Sequence, residues 1–169
     1  DGEYVNLLYG YQLARYLGQE RVWQLIHDCT WSQTAEAKQA ADDIRRLFLA
    51  GYMSRTSPAD HPEGQDEVGN GEAVMVLQGS WTPNEVTEDT GYDDTWGFFP
   101  WPAVKNGTDG TEGIMIGAQG FGVMKDSQMK QEAFDFAYSV CTGETDMKMT
   151  DIVNSIPADT DLSLIHISE

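Results

Sequence analysis

The spacing of the apolar residues constrains this chain more than any other feature, because it follows a helical period at first and then changes. Apolar side chains recur at helical spacing over residues 7–26, where Gly18 interrupts them. A second helical pattern follows Thr34, which is placed as an N-cap, and Gly51 stops it. We therefore expect two helices that meet near Gly18 and a third that ends before Gly51.

From residue 73 onward, short apolar runs closed by glycine or proline replace the helical spacing. Runs of this length fit buried strands better than helices, and they occupy residues 73–77, 96–99, 113–117 and 120–124. Helical spacing returns over residues 127–140 and 145–153. The polar stretch 54–71 before the first run predicts a surface connection with one helical turn near residues 66–69. Strands interleaved with helices predict the α/β class.

The charge of the chain limits its partners. Lys and Arg total 10 against 28 Asp and Glu, a formal net charge of -18, which repels phosphate backbones and anionic lipids. We therefore expect no nucleic-acid partner. Cys29 and Cys141 lie in apolar helical contexts and are predicted to be buried free thiols, with a disulfide between them as the alternative. Neither has a second Cys or a His at metal-ligand spacing, so we expect no metal and no cofactor.

One acidic segment leaves an enzymatic alternative open. The carboxylates of residues 85–94 could supply the acid and base of a glycosidase, and they are Glu85, Glu88, Asp89, Asp93 and Asp94. A solvated acidic loop is the simpler interpretation of such a run. Neither a phosphate-binding loop nor a nucleophile elbow occurs in the sequence. We therefore expect no catalysis and keep a carbohydrate-active enzyme as the alternative.

Aromatic residues cluster in the segment that contains the second apolar run. Trp81, Tyr92, Trp96 and Trp101 all lie between residues 79 and 102. The apolar C–H faces of sugar rings pack on aromatic faces, while polar side chains contact their hydroxyls. Trp81 is predicted to form one wall of a sugar site. For Trp96 and Trp101, filling a core is an equally good explanation.

The order of several short motifs resembles the family 1 extracellular solute-binding proteins. These are the capture subunits of carbohydrate ABC importers and include the maltose-binding protein. The tripeptide Gly79-Ser80-Trp81 matches the "GsW" turn of that family. The other similar segments are residues 47–52, 70–75, 98–102, 117–123, 133–144 and 155–158. The resemblance covers residues 9–161 and corresponds to the C-terminal portion of the family.

This resemblance implies a periplasmic-binding-protein-like class II fold with two α/β lobes, of which the chain is a part. Residues 1–112 would belong to the C-terminal lobe, and residues 118–161 would return to the N-terminal lobe. The crossing at residues 113–117 would be the hinge, with Gly113 and Gly117 absorbing the dihedral change. Residues 162–169 match no part of the pattern and are expected to be a non-native tail.

The resemblance also implies a monomeric, extracytoplasmic binding subunit that lies in the periplasm or is lipid-anchored at the cell surface. It would capture a sugar or oligosaccharide and present it to ABC permease subunits. Trp81 would stack on a sugar ring, and Asn84 or Gln119 would contact hydroxyls. Trp101 and Tyr92 are the further aromatic contacts in this prediction. A non-catalytic adhesion module is a third possibility.

Overall fold

The structure is a computed structural model that describes residues 2–54, 63–108, 110, 113–117, 119–153 and 155–162, with backbone alone for residues 2–6. Helices α1 to α7 span Gly2–Leu17, Gln19–Asp28, Ala35–Leu49, Glu63–Gly69, Thr82–Thr90, Lys130–Val140 and Gly143–Val153. A short 3₁₀ helix, Trp31–Gln33, lies between α2 and α3. No helix in these ranges combines the length and apolarity that a membrane crossing needs.

The chain divides into two compact units. Unit 1 consists of the described residues up to 78 together with those of 86–116, and unit 2 consists of residues 79–85 together with the described residues from 117 onward. The boundary after residue 116 falls inside the segment predicted as a hinge. The assignment of lobes and hinge to residues 1–112, 113–117 and 118–161 stays a prediction.

The junctions of the first three helices lie where the sequence predicts, although α1 begins at Gly2, five residues before the apolar pattern. Gly18 separates α1 from α2 with φ at 73°, a left-handed conformation that a side chain disfavours. Thr34 precedes α3 in an extended conformation, although its hydroxyl donates to the Thr30 carbonyl at 3.0 Å instead of capping the helix. Gly51 follows α3 with φ at 76°. These predicted boundaries are confirmed.

Unit 1 has its apolar core between α1, α2 and α3. Leu13, Leu25, Ala37 and Ala40 are buried there, and partly buried side chains of α1 and α2 pack around them. The two alanines are one turn apart on α3, so α1 can approach this helix closely. The Tyr9 hydroxyl donates to the Ala37 carbonyl at 3.0 Å, and burial raises the pKa of Tyr9 above 10.0. The core therefore fixes α1 firmly against α3.

In unit 2, two aspartates hold the segment after α7 against the start of that helix. The Asp159 carboxylate accepts a hydrogen bond from the Gly143 backbone N–H at 3.0 Å, and its own N–H donates to the Asp146 carboxylate at 2.7 Å. Asp146 is buried. Free N–H groups in the first turn of a helix favour such acceptors. The helices predicted over residues 127–140 and 145–153 are confirmed as α6 and α7.

The four segments predicted as strands contain no β-strand in their described residues. Their apolar side chains include Val74, Phe98 and Ile116, which are 90%, 73% and 73% exposed. A strand forms only when a neighbouring segment pairs with its backbone, and no described segment does so here. The burial that the apolar pattern predicted is therefore wrong for these side chains, and the pattern does not reveal a partner strand. The α/β class is therefore not confirmed by the described helices.

The two cysteines are free, as predicted, but the prediction that both are buried was wrong. Cys29 is exposed at the C-cap of α2, where it takes a left-handed φ of 52°. Cys141 directly follows α6 and is partly buried. The position of Cys29 after the last turn of its helix places it outside the apolar stripe that the helical spacing defines.

Candidate ligand-binding site

Trp81 stands at the turn that leads into α5. The Gly79 carbonyl accepts hydrogen bonds from the Thr82 backbone N–H at 3.2 Å and from its hydroxyl at 2.8 Å. The Trp81 carbonyl accepts the N–H groups of Asn84 and Glu85 at 3.1 and 3.2 Å. Thr82 is buried, whereas the Trp81 side chain remains 44% exposed. The backbone at Trp81 is thus fixed while its ring is accessible.

Gly79 explains how the Trp81 ring is held. The six-membered part of the indole lies so close to the Gly79 Cα that any side chain at this position would overlap it. The glycine of the Gly79-Ser80-Trp81 turn therefore gives the ring a flat backbone surface to lie on. An exposed indole supported from behind in this way loses little conformational entropy when it contacts a ligand.

We expect Gly79→Ala to displace the Trp81 ring, because the new methyl group would occupy part of the space that the indole now fills. The strain of such an insertion is about 1–3 kcal/mol, and rotation of the indole is the simplest way to relieve it. The measurement is the emission of Trp81, obtained as the difference from the same protein carrying Trp81→Phe.

Gly122→Ala is the matched control, since a methyl group on Gly122 meets nothing within 4 Å. It should leave the Trp81 emission unchanged. Identical emission in the Gly79→Ala and Gly122→Ala proteins would contradict the close approach of the ring to Gly79.

Asn84, which is predicted to contact sugar hydroxyls, makes a hydrogen bond within unit 2. Its side-chain N–H donates to the Ile152 carbonyl at 2.9 Å, in the last turn of α7. Carbonyls in the last turn lack partners inside the helix, so this bond ties the start of α5 to the end of α7. Gln119 is exposed in the same unit. The ligand-contact roles of both residues stay predictions.

Trp101 lies in unit 1 and is only partly exposed. Its indole N–H donates to the Gln12 side-chain oxygen at 2.8 Å, and its carbonyl accepts a hydrogen bond from the Arg15 Nε at 3.0 Å. The Tyr11 ring stacks beside the indole, with centroids 6.5 Å apart and planes at 29°. Three side chains of α1 therefore hold Trp101.

Tyr92 is also in unit 1 and belongs to a different aromatic pair. Its ring meets the Trp96 ring edge-on, with centroids 5.7 Å apart and an interplanar angle of 83°. The Thr87 hydroxyl donates to the Tyr92 carbonyl, which keeps Tyr92 near the end of α5. Within the part of the chain that the structure describes, the Trp96 indole N–H is buried without a hydrogen-bond acceptor. Trp81, Asn84 and Gln119 thus lie in unit 2, while Tyr92 and Trp101 lie in unit 1.

Arg15 is 1% exposed and was not among the residues predicted from the sequence. Besides the Trp101 carbonyl, its guanidinium binds the Gly113 carbonyl at 3.0 Å, and it lies 6.0 Å from the centroid of the Tyr11 ring. A side chain on Gly107 would overlap the Arg15 carbonyl, so the loop also runs close to α1. One sequence signal could have pointed to Arg15: it is four residues after Tyr11 and therefore lies on the same face of the helix.

The acidic segment differs from the loop that the sequence suggested. Glu85, Glu88 and Asp89 lie on α5, and only Asp93 and Asp94 follow it. Val86 is buried on one face of this helix, while Glu88 and Asp89 are exposed. This division of apolar and charged side chains is typical of a surface helix. Among the described residues, no three His, Cys, Asp or Glu side chains form a group that could hold a metal ion.

A family model described as bacterial extracellular solute-binding protein matches residues 13–166, and the chain belongs to this family. No curated protein and no solved structure matches the chain. Membership confirms the broader prediction of an extracytoplasmic protein with a solute-binding role in transport, and it implies a periplasmic-binding-protein-like fold. Proteins of this family are generally non-catalytic.

Proposed function

We propose that this chain is part of the extracytoplasmic substrate-binding subunit of an ABC importer and captures a sugar or oligosaccharide without catalysis. The observation that supports a sugar is the Trp81 ring, which is exposed and rests on Gly79 at the start of α5. A rigid aromatic face of this kind matches the apolar face of a pyranose ring. Family membership supports the transport role.

The charge of the chain narrows the class of solute. A formal net charge of -18 creates a negative potential that opposes the approach of anionic solutes such as phosphate esters and dicarboxylates. A neutral sugar pays no such cost. The exposed amide of Gln119 offers both a donor and an acceptor, which suits hydroxyl groups.

In this proposal, solute binding is completed by closure of two lobes about the segment 113–117, and the loaded form is recognised by the permease subunits. The protein acts as a monomer, either in the periplasm or lipid-anchored at the cell surface. Trp81 forms one wall of the site, and Tyr92 and Trp101 contribute aromatic surface.

The test is calorimetric titration of the full chain with maltose, maltotriose and xylobiose, and with glutamate and sulfate as anionic comparisons. We expect at least one sugar to bind with a Kd on the order of micromolar and to quench tryptophan fluorescence, while the two anions do not bind. Binding of an anion without any sugar would overturn the sugar assignment. Release of shorter products during incubation with maltotriose would overturn the non-catalytic role.

A further inference from the structure

The proposed function leaves open how Trp101 is prepared for a solute, and three neighbouring residues of α1 and α3 bear on that question. We infer that Gln12 and Arg15 are positioning residues for Trp101, that Asp43 orients Gln12, and that Trp101 therefore offers a solute its ring surface but no hydrogen bond. The role of Trp101 toward a solute rests on the proposed function. The hydrogen bonds among Asp43, Gln12, Arg15 and Trp101 lie entirely within unit 1.

The side chain of Gln12 is buried, and its amide nitrogen and amide oxygen have different hydrogen-bond partners. Its nitrogen donates to the Asp43 carboxylate at 2.7 Å, and its oxygen accepts the Trp101 indole N–H at 2.8 Å. A carboxylate only accepts hydrogen bonds, so the NH₂ end must face Asp43. The oxygen is then left facing Trp101. Rotating the amide by half a turn would break both bonds.

Asp43 is itself fixed, which makes the orientation of Gln12 persistent. The Tyr16 hydroxyl also donates to the carboxylate oxygen that Gln12 contacts, and Gln39 and Arg46 donate to the other oxygen. Asp43 thus joins α1 to α3 through hydrogen bonds. A network with each member satisfied is rigid, because moving one group leaves another without a partner.

Arg15 holds the backbone at the same residue. Its Nε donates to the Trp101 carbonyl, while another of its nitrogens donates to Gly113, so the main chain on both sides of the loop is tied to α1. The Tyr11 hydroxyl accepts the Met115 N–H at 2.7 Å from the same helix face. Side chains of α1 therefore contact the backbone, the indole nitrogen and the ring of Trp101.

This arrangement has a chemical consequence for recognition. The indole N–H is the only hydrogen-bond donor of a tryptophan side chain, and Gln12 already accepts it. The exposed part of Trp101 can then contribute only apolar and stacking contact. Polar groups of a solute have to be recognised by other side chains.

The experiment uses the full chain labelled with ¹⁵N at the indole nitrogens, with the Trp101 signal assigned by its loss in Trp101→Phe. We expect the Trp101 N–H to exchange with water slowly, and Gln12→Met to accelerate this exchange about fivefold to tenfold, as loss of one hydrogen bond predicts. Gln12→Asn is a smaller change in side-chain chemistry, but its shorter amide cannot reach the indole. It should accelerate the exchange to a similar extent. An unchanged exchange rate in both variants would overturn the inference.

Tyr9→Phe is the matched control, because it removes a hydrogen bond between α1 and α3, from the Tyr9 hydroxyl to the Ala37 carbonyl, in which Gln12, Asp43 and Trp101 take no part. Its exchange rate should stay within about twofold of the unmodified protein. An acceleration as large as that of Gln12→Met would show that general loosening, and not the Gln12 bond, controls the indole.

With maltotriose as the probe, Gln12→Met should lower the affinity about tenfold and Tyr9→Phe by less than about twofold. Faster indole exchange with unchanged maltotriose affinity would overturn the positioning role. If the unmodified chain does not bind maltotriose, the choice of sugar under the proposed function is wrong, and the indole exchange rates still decide the role of Gln12.

Discussion

Trp81→Ala is expected to lower the affinity of the full chain for the sugar proposed as its ligand about a hundredfold, or about 2.7 kcal/mol. The indole supplies the stacking surface, and its removal leaves the exposed turn before α5 without an apolar wall. The loss should be measured by calorimetric titration with the sugar that binds most tightly in the panel. Trp81→Tyr, which keeps an aromatic face, should recover most of the affinity.

Trp23→Ala is the control for this experiment. Trp23 lies on α2 in unit 1 and is 63% exposed, so it matches Trp81 in residue type and accessibility but not in position. Its replacement should leave the affinity within about twofold, as expected for a side chain that the proposed site does not include. Equal effects of the Trp81 and Trp23 substitutions would sink the assignment of Trp81 to the site.

Arg15→Met should reduce the free energy of unfolding of unit 1 by about 3 kcal/mol. Methionine fills much of the same space, but the carbonyls of the partly buried Trp101 and the exposed Gly113 would lose the hydrogen bonds that Arg15 donates. The cost follows from the loss of two hydrogen bonds that a buried, charged guanidinium donates. Urea denaturation followed by tryptophan fluorescence is the measurement.

The comparison for Arg15→Met is Arg21→Met on α2, where the arginine is exposed and donates to the side chain of Gln24. Exposed substitutions of this kind change stability by about 0.5 kcal/mol or less. A midpoint shift of the same size in both proteins would contradict the anchoring role of Arg15.

The helices could be predicted from the sequence because their signals are local. Apolar spacing, the position of Thr34 and the glycines at 18 and 51 each act within a few residues, and they locate α1, α2 and α3. Strand formation depends on a partner elsewhere, so the runs at 73–77 and 113–117 predicted burial without revealing any pairing.

The candidate site was predictable to the same extent. The turn Gly79-Ser80-Trp81 is a contiguous motif, and it led to Trp81 directly. The bonds from Gln12 and Arg15 to Trp101 join residues that are 89 and 86 positions apart. The local pattern of α1 does not predict a contact with a loop so distant in sequence. A buried arginine is also uncommon, because arginine usually lies at the surface.

The two free cysteines give this protein a built-in pair of attachment points for spectroscopic labels. Cys29 belongs to unit 1 and is exposed, whereas Cys141 belongs to unit 2 and is partly buried. Because accessible thiols react first, a donor dye can be placed on Cys29 and an acceptor on Cys141 in successive steps without mutagenesis. Energy transfer between the two dyes would then report, molecule by molecule, whether adding a solute changes the separation of the units.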